Sequence, residues 1–460
     1  VARVLMPPAT GAPVAAAFDA VDLAHARLLR SAGLGDTLAW DLVRSLVTDI
    51  GPRPAGSAAD ALAVRWAVQH LEALGFADVR TEPVMLTVWR RGATEALLLS
   101  PEPVPLVVTA IGNSVATEPA GLEADLAYYP DFTSLRQDTT DRARGRIVFI
   151  DQRMEASREG SGYGPAVLAR VSGAVEAGRR GAVAVAIRSI GTDRERIAHT
   201  GALRYDPAVR AVPAIAVSIP DAEAIAARAA TGTPLRMRLR LQAQDGVAAT
   251  SHNVIADVPG GDCRDEVVLL GAHLDTWDIS PGAQDDGAGV GIVIAAARAL
   301  LDAGRTPRRT VRVVLFANEE NGVDGARAYA QRHGEVPHQL VGESDMGAAL
   351  PWRLRTRVHD RALPLWTAIA AELAPLGIEH EGNAGSPAPD AATLMHLRRW
   401  PAVEVTQDAS RYFDVHHTVA DTLDRIDPAT LPRNVAAWAV VAWLSAQSPL
   451  PFGWGAGDRP

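Results

Sequence analysis

Apolar residues recur at i, i+3, i+4 and i+7 through AWDLVRSLVTDIG (39–51) and ADALAVRWAVQHLEALGF (59–76), within a region, 13–75, that reads as helical. The second pattern stops at Gly75, and GPRPAGS (51–57) between the two is a loop by its Gly and Pro content. VRTEPVMLTVW (79–89) follows as a strand-like stretch. From about Leu106 to Leu241 the runs shorten. GRIVFID (145–151) and GAVAVAI (181–187) predict strands, with a helix over GPAVLARVSGAVEAG (164–178) between them. VPAIAVSI (212–219), a short Ala-rich helix and the alternating LRMRLRL (235–241) complete what looks like a compact α+β insert.

Beyond the insert, HNVIADV (252–258), EVVLLGAHLD (266–275), RTVRVVLFANEE (309–320) and HQLVGESDMG (338–347) are strand-like. Helical stretches GVGIVIAAARALLDAG (289–304) and DGARAYAQRHG (324–334) separate the later ones. Near-continuous apolar strands alternating with helices predict an α/β fold, a mixed and mostly parallel sheet covered by helices on both faces. The expected division is 1–105 and 249–460 for the two parts of this main domain and 106–248 for the insert. PATLPRNVAAWAVVAWLSAQ (428–447) closes the chain as an apolar helix, short and interrupted by polar residues, which suits a core better than a membrane. No run approaches the ~18 apolar residues of a membrane span.

The 460 residues suffice for two or three domain-sized units. A formal net charge of −9 leaves no polybasic field for nucleic acid or an anionic membrane, so neither partner is expected. All 45 basic residues are Arg, which a compositional bias of the coding DNA explains. The single Cys263 cannot close an intrachain disulfide and leaves the redox compartment open. A first residue of Val rather than Met suggests removal of an N-terminal, secretory segment.

Chemistry changes the picture at the strand ends. GAHLDTWDISPGAQDDGAGVG (271–291) supplies His273 and Asp275, then Asp285 and Asp286; later ends supply Glu319 and Glu320, Asp345, and His416 and His417 of HHTVADT. In open α/β sheets ligands bind beyond the carboxyl ends of the strands, where these residues fall. So many carboxylates buried without compensation would destabilise the fold, and divalent cations supply the missing charge. His plus carboxylate is the donor mix of zinc. Two metals about 3.5–4 Å apart need one shared carboxylate, and Asp285 in its Gly-rich loop suits that place. Asp286 suits a cap on the following helix.

GAHLDTWDISPGAQDDGAG, FANEENGVDGA, ESDMG and YFDVHHTVADT, with DIGPRPAGS and EPVMLTVWRRG nearer the N-terminus, resemble the M28 metallopeptidases, and within them the carboxypeptidase Q group, over nearly the whole chain. The resemblance implies a zinc exopeptidase fold with a protease-associated insert. It implies two zinc ions per chain, one held by His273 and Asp345, the other by Glu320 and His417, with Asp285 bridging. Glu319 would be the general base in hydrolysis by metal-activated water, Asp275 would orient His273, and the Asp285–Asp286 bond would be cis. His416 stands where relatives often carry a Tyr that donates to the oxyanion, and His417 is favoured over it as ligand from the HT register. Substrates would be dipeptides or short peptides with free termini, and a homodimer in a secreted or periplasmic location is implied. The alternatives are an aminopeptidase acting on longer peptides, a non-catalytic binding or receptor-like protein, and a single-zinc cyclase catalysing acyl transfer. Arg411 could meet a substrate carboxylate or form an exposed salt bridge, and Asp390 could line a pocket or sit in a plain loop turn. His252, His333, His338, His359 and His380 lack a partner motif and read as surface or satisfied residues.

Overall fold

In the computed structural model, residues 17–100 and 102–454 are described. Residue 1 and residues 13–16 of the predicted helical region lie outside them. The centre of the main sheet is the strand Cys263–His273, flanked in parallel by Arg309–Phe316 and His338–Glu343. Ala402–Gln407 continues the sheet in parallel beyond His338–Glu343, and Pro351–Arg357 follows antiparallel. On the other side Arg236–Val258 pairs antiparallel with Arg309–Phe316. This is the mixed, mostly parallel sheet that the apolar runs predict.

Its strands are apolar on both faces because both faces are covered. Successive side chains of a strand point to opposite sides, so Val268, Leu270 and Ala272 join one core while Val267 and Leu269 join another. The first core packs under the helices Ala20–Leu34, Leu38–Ser45, Ala288–Asp302 and Leu431–Gln447. The second packs under Asp324–Arg332 and Pro389–Arg398. The closing helix Leu431–Gln447 is a core element, with Trp438 and Trp443 fully buried. Among the described residues, no helix is long and apolar enough to cross a membrane.

The insert region forms a further layer with its own hydrophobic clusters on both faces. Leu122–Tyr129, Ile147–Ile150, Ala184–Arg188 and Ala214–Val217 run parallel in that order. The stretches LRMRLRL and HNVIADV, expected as separate strands, belong to one 23-residue strand, Arg236–Val258. Its mostly polar middle reaches only a small cluster, where Val247 and Ala249 pack on Ala55, Val84, Leu86 and Val88. It is held along its length by antiparallel register with Ala77–Leu98, from Ala77 opposite Asp257 to Leu98 opposite Met237. The expected boundary at 248/249 therefore falls inside a ribbon that runs through both parts.

Register aligns the ends that carry chemistry. His273 lies opposite Phe316, and Glu343 opposite Gly271, so the segments following these strands leave the sheet along one edge.

The packing makes a quantitative test possible at Trp438, which is fully buried and rests on the backbone of Gly342. Trp438→Ala should cost about 3–5 kcal/mol, from lost burial plus the cavity left behind. Equilibrium urea unfolding measures this, and an unchanged midpoint would contradict the assignment of this helix to the core.

Candidate metal centre

Each side chain of the centre is delivered by the end of an element. His273 is the last residue of the central strand. After Phe316 the chain turns at Asn318, in the left-handed region at φ 57°, and starts the short helical turn Glu319–Gly322. Asp345 follows the strand His338–Glu343 by two residues. Asp285 is reached through the loop after His273, and the Asp285–Asp286 peptide bond is cis. His416 and His417 come from the irregular segment after Tyr412–Asp414, with His417 at φ 61°.

Asp285 joins the two halves. Its Oδ1 lies 3.1 Å from His273 Nε2, and its Oδ2 lies 3.2 Å from His417 Nε2. His273 Nε2 is also 3.6 Å from Asp345 Oδ1, and His417 Nε2 is 3.0 Å from Glu320 Oε2. His416 stacks on His417 with ring centroids 3.6 Å apart, and its Nε2 is 3.6 Å from Asp285 Oδ2. Two donor groups have their atoms within 4.8 Å of one another, His273/Asp285/Asp345 and Asp285/His416/His417. Glu320 meets the second group through His417.

Burial drives the titration of this cluster. It pushes Asp285 upward too, but the imidazoles of His273 and His417, one facing each oxygen, hold that carboxyl well below the usual range. Burial works against the charged form of His417, and Glu320 and Asp285 more than offset it, bringing the imidazole to about 9. In the remaining acids burial outweighs whatever partners they have, and they rise. Glu319 and Asp286 are pushed well above the carboxylate range, and Glu320 reaches about 7. His416 is pushed down by burial and then by its neighbour His417. Oδ2 of Asp285 and Oδ1 of Asp345 are buried without hydrogen-bond geometry to any partner, although histidine nitrogens stand close by. Orphaned carboxylate oxygens facing imidazole nitrogens are the donor set a divalent ion such as zinc completes.

The structure brings His273, Asp285, Glu320, Asp345, His416 and His417 together and refines the place of the others. His273 Nδ1 donates to the main-chain carbonyl of Asp275 at 3.0 Å, whereas the Asp275 carboxylate lies 3.9 Å away and accepts the N–H of Glu319 at 3.0 Å. Orientation of His273 by Asp275 thus runs through the backbone. Asp286 accepts the N–H groups of Gly289 and His273 at 3.0 and 3.1 Å, so it links helix start and strand end. Asp390 is neither a pocket wall nor a loop turn. It is fully buried in the first turn of Pro389–Arg398, with both oxygens unpartnered. Arg411 is exposed, 3.6 Å from Asp414, and lines a neighbouring hollow rather than the cavity at the centre.

Three supports lie inside the motifs DIGPRPAGS, YFDVHHTVADT and ESDMG, whose patterns give these residues no role of their own. Arg53 of GPRPAGS is fully buried and donates to the carbonyls of Leu274 and Pro281, each at 2.6 Å, tying the two ends of the loop after His273. Burial lowers it to about 10, with Asp275, Asp421, Asp286 and Asp285 around it. Asp421 accepts the N–H groups of Gln284 and Asp285 at 2.7 and 3.1 Å. Glu343 lines the cavity; burial, then Asp345, pushes it to about 8.

The model of peptidase family M28 matches residues 253–442. Carboxypeptidase Q of Bos taurus is 32% identical over 421 residues, which is 90% of this chain and 86% of that protein. The crystal structure of a peptidase M28 precursor from Shewanella amazonensis SB2B is 43% identical, with a TM-score of 0.91 over 96% of this chain and 98% of that one. A zinc aminopeptidase from Bacillus subtilis, 19% identical with a TM-score of 0.61 over 88% of this chain and 93% of that one, shares the fold.

The raised carboxyls make a pH prediction. A carboxyl whose folded value lies above its unfolded one takes up a proton on folding between the two, so its contribution to stability falls as pH climbs through that window. Glu320 and Asp421 near 7 and Glu343 near 8 all act in this direction, as does His417, raised to about 9. Metal-free protein should therefore melt lower at about pH 9 than at about pH 6.5, and Glu343→Gln should flatten the fall. A melting temperature that rises over this range would refute the assignment.

Proposed function

The chain belongs to peptidase family M28, and on that premise we propose that it is a dinuclear zinc exopeptidase hydrolysing dipeptides or short peptides with free termini. One observation carries the reading: the Asp285 carboxylate lies between His273 with Asp345 on one side and His417 with Glu320 on the other. In this reading His273 and Asp345 hold one zinc, Glu320 and His417 the other, and Asp285 bridges. Bound zinc supplies a Lewis acid that lowers the pKa of water and polarises a carbonyl.

The protein's own groups do the rest. Glu319 is half-buried on the cavity wall and enters no ion pair among the described residues. Burial raises its proton affinity well above that of an ordinary carboxylate, which suits a base that takes the proton of the attacking water and returns it to the leaving amine. Asp275 fixes Glu319 by accepting its N–H and fixes His273 through its own carbonyl. By distance His416 belongs to the same donor group as Asp285 and His417, and this reading keeps it outside the ligand set on the HT register alone. Donation to the developing oxyanion is the role left to it.

The cavity beside these groups has a volume of about 480 Å³. Its wall carries exposed Arg204, which enters no ion pair among the described residues, and buried Glu343, whose Oε1 has no partner. A guanidinium and an unpartnered carboxyl oxygen in one small cavity suit a substrate with both a carboxylate and an ammonium, the ammonium being the partner that would favour the ionised form of Glu343. That supports short free peptides over longer ones read at a single terminus.

The test is zinc content of the purified protein, with hydrolysis of a free dipeptide and of its N-acetylated and C-amidated forms. About two zincs per chain and chelator-sensitive cleavage are expected, with both blocked forms cleaved poorly. Cleavage of the C-amidated form at full rate would make it an aminopeptidase; neither zinc nor cleavage would make it a binding protein. Glu319→Gln should keep both zincs and lose about 10²–10⁴-fold in kcat. Asp285→Ala should lose zinc together with activity, and two zincs retained in that variant would place the bridge elsewhere.

A further inference from the structure

In the reading above the region between Leu106 and Leu241 provides no zinc ligand, yet it grips the segment that presents His417. Two consecutive carbonyls of that segment are held from the insert side. The carbonyl of His416 accepts from Nδ1 of His199 at 2.8 Å, and the carbonyl of His417 accepts the N–H of Thr200 at 2.9 Å. The opposite nitrogen of His199 lies 2.7 Å from Asp193 Oδ2. Both members of this pair are buried, and the His199 side chain has no exposure. Thr192 adds a main-chain bond to the Phe413 carbonyl at 3.1 Å and a side-chain bond to Asp414 at 2.8 Å. Arg170, from the helix Tyr163–Arg179, brings Nη1 to 3.3 Å from His417 Nδ1.

The pair is locked in place. The main-chain N–H of His199 donates to Ser189 Oγ at 2.9 Å. A Cβ on Gly191 would overlap the His199 ring, so the imidazole lies directly on that glycine's backbone. His199 is therefore a fixed strut between a carboxylate and a carbonyl. Its target is well chosen. His417 sits at φ 61°, a left-handed conformation that a residue with a β-carbon keeps only where its surroundings impose it. The His416 carbonyl belongs to the peptide unit that leads into this torsion. Holding it fixes the direction in which the His417 imidazole leaves the backbone.

We propose that Asp193 and His199 are positioning residues for the Glu320–His417 side of the metal pair, so that the inserted region is a working part of the zinc site. The inference rests on the reading of His417 as a zinc ligand. It also implies reciprocity: zinc on that side and docking of the 192–200 segment favour one another, as linkage requires.

The experiment uses the full chain loaded with zinc and titrated with a competing chelator. His199→Leu should weaken one of the two zincs by about 10–100-fold, the usual effect of removing a group that orients a ligand, and leave the other unchanged. His199→Asn, whose side-chain amide nitrogen sits near the place of Nδ1, should recover most of the loss. Asp193→Asn, which keeps shape and removes the charge holding the ring, should give an intermediate loss, and it carries the test should His199→Leu fail to fold. Equal weakening of both zincs, or of neither, overturns the proposal, as does a His199→Asn protein no better than His199→Leu. A wild-type chain binding fewer than two zincs would instead sink the dinuclear reading, and this inference with it.

Discussion

Asp285 is a charged carboxylate in a buried site, and the cost of keeping it there shapes the rest of the centre. An ion taken from water into a protein interior loses several kcal/mol of solvation unless its surroundings return it. His273 faces one oxygen and His417 the other, and with them the carboxyl stays ionised despite burial. The neighbouring acids lack that arrangement, and their affinity for protons rises instead. Glu319, Asp286, Glu320 and Glu343 all shift upward, with burial as the first cause in each. Because ligands bind a metal in their deprotonated form, metal affinity and proton release in such a cluster become one equilibrium.

The sheet makes the concentration of charge possible. Parallel strands in register end at one level, so residues distant in sequence converge without long excursions: His273 ends one strand, Glu319 and Glu320 follow the next, and Asp345 follows the third. The apolar strands behind them bury both faces and give the edge a rigid base. Rigidity matters because carboxylates brought together disfavour one another's charge and would separate if their backbones could relax.

This division also explains what the sequence reveals. Strand ends are visible because apolar runs stop at them, and His273, Asp285, Glu319, Glu320, Asp345 and the His416–His417 pair are all legible from that break together with the motifs around it. The fold class follows from the same alternation of apolar runs and helical stretches. Supports that act by main-chain hydrogen bonding are not legible. Arg53 lies in a loop whose Gly and Pro content signals a turn and whose family resemblance assigns it no role, yet its guanidinium reaches carbonyls more than two hundred residues away in sequence. Asp421 acts through its bonds to two main-chain N–H groups, which no side-chain pattern records. Asp275 shows the limit most clearly: its acidic side chain invites pairing with His273, but its carbonyl makes that bond.

Arg53 and the Asp193–His199 pair solve related problems on opposite sides of Asp285. On the His273 side, the loop toward Asp285 is closed by a buried cation that ties Leu274 to Pro281 and brings positive charge among the acids. On the His417 side, the segment has no regular secondary structure to hold it, and its final residue is in the left-handed region. A helix or strand cannot supply that conformation, so the constraint comes from a second layer docked on it. The long ribbon formed by Ala77–Leu98 and Arg236–Val258 joins that layer to the main sheet over many paired residues. An insert attached by a flexible linker could not hold a side chain to a fraction of an ångström, whereas one continuous with the sheet can. The ribbon is thus the element that lets a peripheral layer set the geometry of a central site.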